Sequence, residues 1–275
     1  MSVSEDSSVV TVGGIAALLT SLWALVMITL GSYGPAPYTF AHRFAHDIDS
    51  PVLALELAHD RSDVDAVLQQ ESENAADRHA AIRALRLNTV LDLGFIPLYT
   101  VYLLALARLA GGRGRPIAAL FVGAAVFDYI ENLFIFRTLA GGGPLPFVPS
   151  LIKWGLLAIG LAVIGAGFLR GGTTLYAYPT RALLGLAHLI AAALIALAVV
   201  LGERLGYSWL ELGIGIFSAT VLVNTVGLLG PWVGRWFPGR DIRYVEDFCR
   251  KRERGMTASA VRADLLTGTR ESPRA

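Results

Sequence analysis

Residues 147–169 read FVPSLIKWGLLAIGLAVIGAGFL, twenty-three positions with one charged side chain, Lys153. At 1.5 Å per helical residue such a run crosses a hydrocarbon layer of roughly 30 Å. Its apolar residues do not alternate with polar ones as a lipid-facing barrel strand requires, so a helix is the structure that satisfies its own backbone in lipid. Five further runs share the pattern: Val9 to Leu30, Asn88 to Ala110, Pro116 to Leu139, Arg181 to Leu201 and Trp209 to Gly230. The expected fold is therefore an all-α integral membrane protein with six transmembrane helices in one bundle. Composition agrees, since 54% of the 275 residues are hydrophobic and 16% charged, whereas a soluble domain carries about a quarter charged residues. The first run is longer than a signal-peptide core and follows Glu5 and Asp6 with no Lys or Arg before it, which reads as a retained helix.

Two segments fall outside these spans. The bundle is expected to occupy 1–234 and to include an extracytoplasmic loop, 31–87; a basic tail follows at 235–275. Within the loop, Ser50 to Gln70 reads as a short outer helix with Ser50 as N-cap and Pro51 in the first turn. Val52, Leu55, Val64, Val67 and Leu68 would lay its apolar stripe on the bundle or the outer lipid surface. In the tail, Ile242, Val245, Phe248 and Cys249 recur at helical spacing among Arg243, Arg250, Lys251, Arg252 and Arg254. That pattern fits either a cytoplasmic amphipathic helix on anionic inner-leaflet lipid or a plain topology signal.

Charge distribution sets the expected orientation. With the N-terminus cytoplasmic, the inner loops and tail hold fifteen Lys and Arg against seven outside, which places both termini in the cytoplasm; the abundance of Arg over Lys suits a high-GC bacterial source, and so a bacterial inner membrane is expected. Trp154 and Trp209 then fall near outer span ends, with Trp232 and Trp236 at an inner one. A net charge of +1 gives no case for nucleic acid, and the single Cys249 excludes an internal disulfide.

Charged groups inside a span cost several kcal/mol unless paired or hydrated. Asp92, Asp128, Glu131 and Lys153 are such groups, and in this topology all four lie in the outer half of the bilayer. Asp128, Glu131 and Asn132 share one helix face, as do Asp92 and Tyr99. Pro97 leaves the carbonyl of Leu93 without its helical donor, which predicts a kink and a bare oxygen one turn from Asp92. Together Asp92, Tyr99, Asp128, Glu131, Asn132 and Lys153 describe an acidic pocket that suits a lipid head group, a cation, a small polar ligand or a transferable proton. The plainer alternative is a structural network in which Lys153 neutralises Glu131 or Asp128; the surplus of acids over the one base argues for more than pairing.

Other candidates are weaker. His42 and His46 are four apart beside Asp47 and Asp49, a spacing that suits zinc only if the segment is helical and a third ligand exists. His188 and Asn224 read as packing residues, Glu203 and Glu211 as solvated, and Ala158, Ala162 and Ala166 as a stripe that lets a neighbouring helix approach. The chain has no Walker lysine loop, paired-histidine zincin motif, serine elbow or Asp-Asp-x-x-Asp run, so ATP-driven pumping, zincin proteolysis, serine hydrolysis and diphosphate prenyl transfer lose support. No cofactor, reaction or oligomeric state is indicated.

The stretch Leu91-Asp92-Leu93-Gly94-Phe95-Ile96-Pro97-Leu98-Tyr99, followed one span later by Phe127-Asp128-Tyr129-Ile130-Glu131-Asn132, resembles a pattern in uncharacterised bacterial multi-pass membrane proteins. The resemblance covers little more than the second and third spans. It implies that the two stretches belong to one site and brings no activity with it. Three functions are carried forward: a head-group or polar-ligand binder with scope for acid or base chemistry, a proton- or cation-coupled transporter, and a structural subunit of a membrane complex. A transporter needs access from both faces, and the inner halves of the spans offer only His188 and Asn224 as polar candidates.

Overall fold

A computed structural model describes residues 3–31, 48, 50–70, 75–111, 115–171 and 178–236. Helices α1 (Val3–Gly31), α2 (Pro51–Glu56), α3 (Arg61–Gln70), α4 (Ala75–Leu109), α5 (Arg115–Leu139), α6 (Phe147–Leu169), α7 (Tyr178–Leu205) and α8 (Ser208–Trp236) follow in chain order. Six of them, all but α2 and α3, are long and apolar enough to cross a membrane. The fold is an all-α bundle of multi-pass membrane type. Met1–Leu228 forms one compact unit and Leu229–Ala275 another, of which the described part is the end of α8. The expected tail helix, and His42 and His46 with their neighbouring acids, lie outside the described residues.

Within the first unit, α1 packs on α4, α4 on α5, α5 on α6 and α6 on α7. α8 reaches back to α4 through Asn224 and Tyr102, and to α1 through Thr225 and Ser21. The α6–α7 crossing is closest at two glycines: a Cβ on Gly165 would stand 2.8 Å from the carbonyl oxygen of Gly185. Those glycines, more than the Ala158–Ala162–Ala166 stripe, set the backbone approach. Large apolar side chains point outward, among them Val12, Val126, Leu183, Val200 and Val226, as a lipid-facing exterior requires.

Five of the six spans agree with the sequence reading to within three residues at both ends, and the second departs from it. α4 begins at Ala75, and its 35 residues make a rod of roughly 52 Å, so its first turns extend past the apolar zone alongside α3. α4 also continues through Pro97. The carbonyl of Leu93, deprived of its helical donor, accepts instead from the Tyr129 hydroxyl at 3.4 Å.

The expected single helix from Ser50 to Gln70 is two helices, broken at Leu57–Asp60. The break has a local cause. Asp60 Oδ1 accepts from the Asp63 amide at 3.0 Å while Asp63 Oδ2 accepts from the Asp60 and His59 amides at 3.3 and 2.8 Å, a reciprocal capping box that starts α3 afresh. Ser50 caps α2 as its sequence suggests, its Oγ accepting from the Leu53 amide, and Pro51 occupies the first turn. Of the two placements expected for the apolar stripe, the bundle is the one the structure takes. Leu53, Ala54, Leu55 and Leu57 are fully or almost fully buried, so α2 is a plug set into one end of the bundle. Glu211, expected in solvent, accepts the Ser50 amide at 3.0 Å and ties that plug to α8.

The connection from α5 to α6 lies at the same end. There the amide of Gly142 bonds to the carbonyl of Arg137 and that of Gly141 to Thr138, with Gly141 at φ +90°, a Schellman ending that needs a residue tolerant of the left-handed region. Arg61 and Arg86 donate to carbonyls around this helix end, at Gly143 and Leu139, and so fasten α3 and α4 to it.

Candidate functional site

Lys153 stands one and a half turns into α6, on the face turned towards α5 and α2. Its Nζ donates to Glu131 Oε1 at 2.6 Å, Glu56 Oε2 at 3.1 Å and Asp128 Oδ1 at 3.2 Å. An ammonium has three N–H donors, and all three are used. The cluster is closed to solvent, with Glu131 at 0% exposure and Asp128 and Lys153 each at 4%. A dense shell continues around it. The Tyr99 hydroxyl donates to Asp128 Oδ2 at 2.8 Å, Asn132 Nδ2 to Asp92 Oδ2 at 2.6 Å, and Trp154 Nε1 to Glu56 Oε2 at 3.3 Å. The Trp154 ring lies 4.6 Å from the ammonium, a cation–π contact.

All six residues singled out in the sequence are brought together here, although Asp92 is tied in through Asn132 rather than through Lys153. The spacing of Asp128, Glu131 and Asn132 works as read: three and four residues apart on α5, they turn one polar face to α4 and α6. Glu56 was missed. It belongs to α2, outside the six spans among which charged groups were sought, and yet it is a direct partner of the lysine. Its signal was the lone charge in the apolar run Pro51-Val52-Leu53-Ala54-Leu55-Glu56-Leu57-Ala58. Ser150 supports it from below, its Oγ donating to the Glu56 carbonyl at 3.1 Å.

The hydrogen-bond balance is one-sided. Four carboxyl groups, Glu56, Asp92, Asp128 and Glu131, face one ammonium group. Glu131 Oε2 is buried with no donor, and so is Asn88 Oδ1, one turn before Asp92 on α4; among the described residues Thr20 Oγ1 on α1 is a third buried polar atom without a partner. A buried polar atom left unmatched costs about 1–3 kcal/mol, more when charged. What is missing is donors, because every N–H of the lysine is already committed. Among the described residues no group of three or more His, Cys, Asp and Glu side chains is arranged to hold a metal ion; the centre of the carboxyl cluster is taken by Lys153 itself.

Deeper along the bundle, polar side chains occur in neutral pairs. Asn224 Nδ2 donates to the Tyr102 hydroxyl at 3.0 Å, Ser21 and Thr225 hydroxyls are 3.4 Å apart, and His188 lies between the Leu184 carbonyl at 2.7 Å and the Thr220 hydroxyl at 3.4 Å. Compared with known protein families, characterised proteins and solved structures, the chain matches none of them.

Proposed function

We propose that this protein is a ligand-binding protein of the bacterial cytoplasmic membrane, with both termini cytoplasmic, whose acidic cluster in the outer half of the bilayer holds a small donor-rich group: an ammonium-bearing lipid head group or a small polar cation. The observation that carries the reading is the buried, unpartnered Glu131 Oε2 beside a lysine with no donor left to give. A purely structural network would be expected to close its own hydrogen bonds, because unmatched polar atoms in low dielectric are costly. An incoming ammonium or hydroxyl supplies the missing donor and offsets the surplus negative charge together. α2 bears on access, since it contributes Glu56 and covers the cluster.

Transport is the weaker reading. Away from α2 the polar pairs Asn224–Tyr102, Ser21–Thr225 and His188–Thr220 contain no carboxyl group, and a site of one-sided access accords with that arrangement better than a through-path. The orientation rests on the excess of basic residues in the cytoplasmic loops and tail; reporters fused after Gly112, after Gly142 and at Ala275 test it, and a periplasmic signal at Ala275 contradicts it.

Thermal unfolding of the purified protein with ammonium, ethanolamine and phosphatidylethanolamine tests the binding. At least one should raise the midpoint of the wild type, by linkage, and Glu131→Gln should remove that increment while remaining folded. No increment with any of the three contradicts the proposal.

A further inference from the structure

A second feature lies apart from the acidic cluster, between the start of α6 and the end of α7. Phe147 and Leu151 on one side and Val199 and Val200 on the other wall a groove of about 460 Å³, which Arg204 and the buried Tyr207 also line. That volume is in the range of sites that take small organic ligands. The apolar part belongs to the spans Phe147–Leu169 and Pro179–Gly202, while Arg204 comes two residues after the second span ends. Hydrocarbon walls therefore lead to a guanidinium at the depth of lipid phosphates. Val200 is 75% exposed on the outward face, which opens the groove to the bilayer. Tyr207 is held in place by close packing on Gly202, where a Cβ would overlap its ring. Among the described residues no carboxylate pairs with Arg204, which is itself exposed.

We infer that this groove binds one anionic phospholipid, with an acyl chain along Leu151, Val199 and Val200 and the phosphate on Arg204. Charge decides the class of lipid. A guanidinium that meets no carboxylate among the described residues suits a phosphate oxygen pair bidentately, and a zwitterionic choline lipid brings a competing cation that an anionic one does not. The groove shares no residue with the Lys153 cluster, so this inference stands or falls apart from the proposed function.

Lipid retention by the purified full-length protein, read by native mass spectrometry after incubation with phosphatidylglycerol or phosphatidylcholine, tests it. The wild type should retain phosphatidylglycerol over phosphatidylcholine by roughly tenfold, the worth of one charge-assisted hydrogen bond. Arg204→Gln should bring phosphatidylglycerol down to the phosphatidylcholine level. Val200→Trp, at an exposed position where the fold has room, should block the groove and lower both. Inorganic phosphate should not compete, since it has no chain to bury. Equal retention of phosphatidylglycerol by the wild type and Arg204→Gln, or full displacement by inorganic phosphate, would overturn the inference.

Discussion

The two polar regions of the bundle solve the same problem differently. Around Asn224, Thr225 and His188, each polar side chain meets a neutral partner on another helix, and the pairs act as interhelical glue. Around Lys153, α5 and the plug α2 converge on the one ammonium that α6 carries, α4 joins through Tyr99 and Asp92, and acceptors outnumber donors. Neutral pairs can be lost one at a time. The charged cluster cannot, because removing its only cation leaves several buried carboxyl groups facing one another. The imbalance, rather than the presence of charge, is what separates a site from a packing device.

That contrast sets a ranking of effects. Lys153→Met should be the most damaging single change, by about 3–5 kcal/mol in chemical unfolding, the usual cost of removing one partner from a buried pair. Replacing the set as Lys153→Met with Glu56→Gln, Asp92→Asn, Asp128→Asn and Glu131→Gln should restore much of that loss, since none of the four carboxylates is then left without its cation. A combined variant no more stable than Lys153→Met alone would break the comparison. Glu56→Gln comes next, at about 1–3 kcal/mol for a hydrogen bond to a charged group; it should also raise proteolytic cleavage between α2 and α3, because Glu56 fastens the plug to α6. Unchanged protease resistance would mean that apolar burial of Leu53, Leu55 and Leu57 alone holds α2. The smallest effect should come from Tyr102→Phe, which removes one neutral interhelical bond worth about 0.6 kcal/mol; a loss comparable to that of Lys153→Met would place the neutral pairs on the same footing as the cluster.

Much of this was legible from the chain, for physical reasons. Span length and apolar continuity follow from the thickness of hydrocarbon, so Pro116 to Leu139 and Phe147 to Leu169 read with the ends the structure gives them. The convergence of Asp128, Glu131 and Lys153 was legible because charges in spans are few and helical depth is countable. Glu56 was hidden by tertiary burial. Amphipathic spacing tells that Leu55 wants an apolar neighbour, but not whether that neighbour is lipid or the bundle interior, and a carboxylate on a surface cap would have had no lysine to meet. The break between α2 and α3 was also readable in hindsight, since Asp60 and Asp63 stand at capping-box spacing, where an acid in place of the usual Ser or Thr drew no notice. Pro97 drew the right attention with an incomplete result: the bare carbonyl of Leu93 exists, and Tyr129, on the next span, supplies its donor.

The central claim is that Glu131 Oε2 awaits a donor from outside the protein. A density map of the lipid-embedded protein, at a resolution that separates waters from larger groups, tests it most directly. The account predicts a polyatomic group with its donor about 2.6–3.2 Å from Glu131 Oε2, absent from the map of Glu131→Gln. A dry apolar wall against that oxygen, or a single water in its place, would contradict the account and return the cluster to a purely structural role.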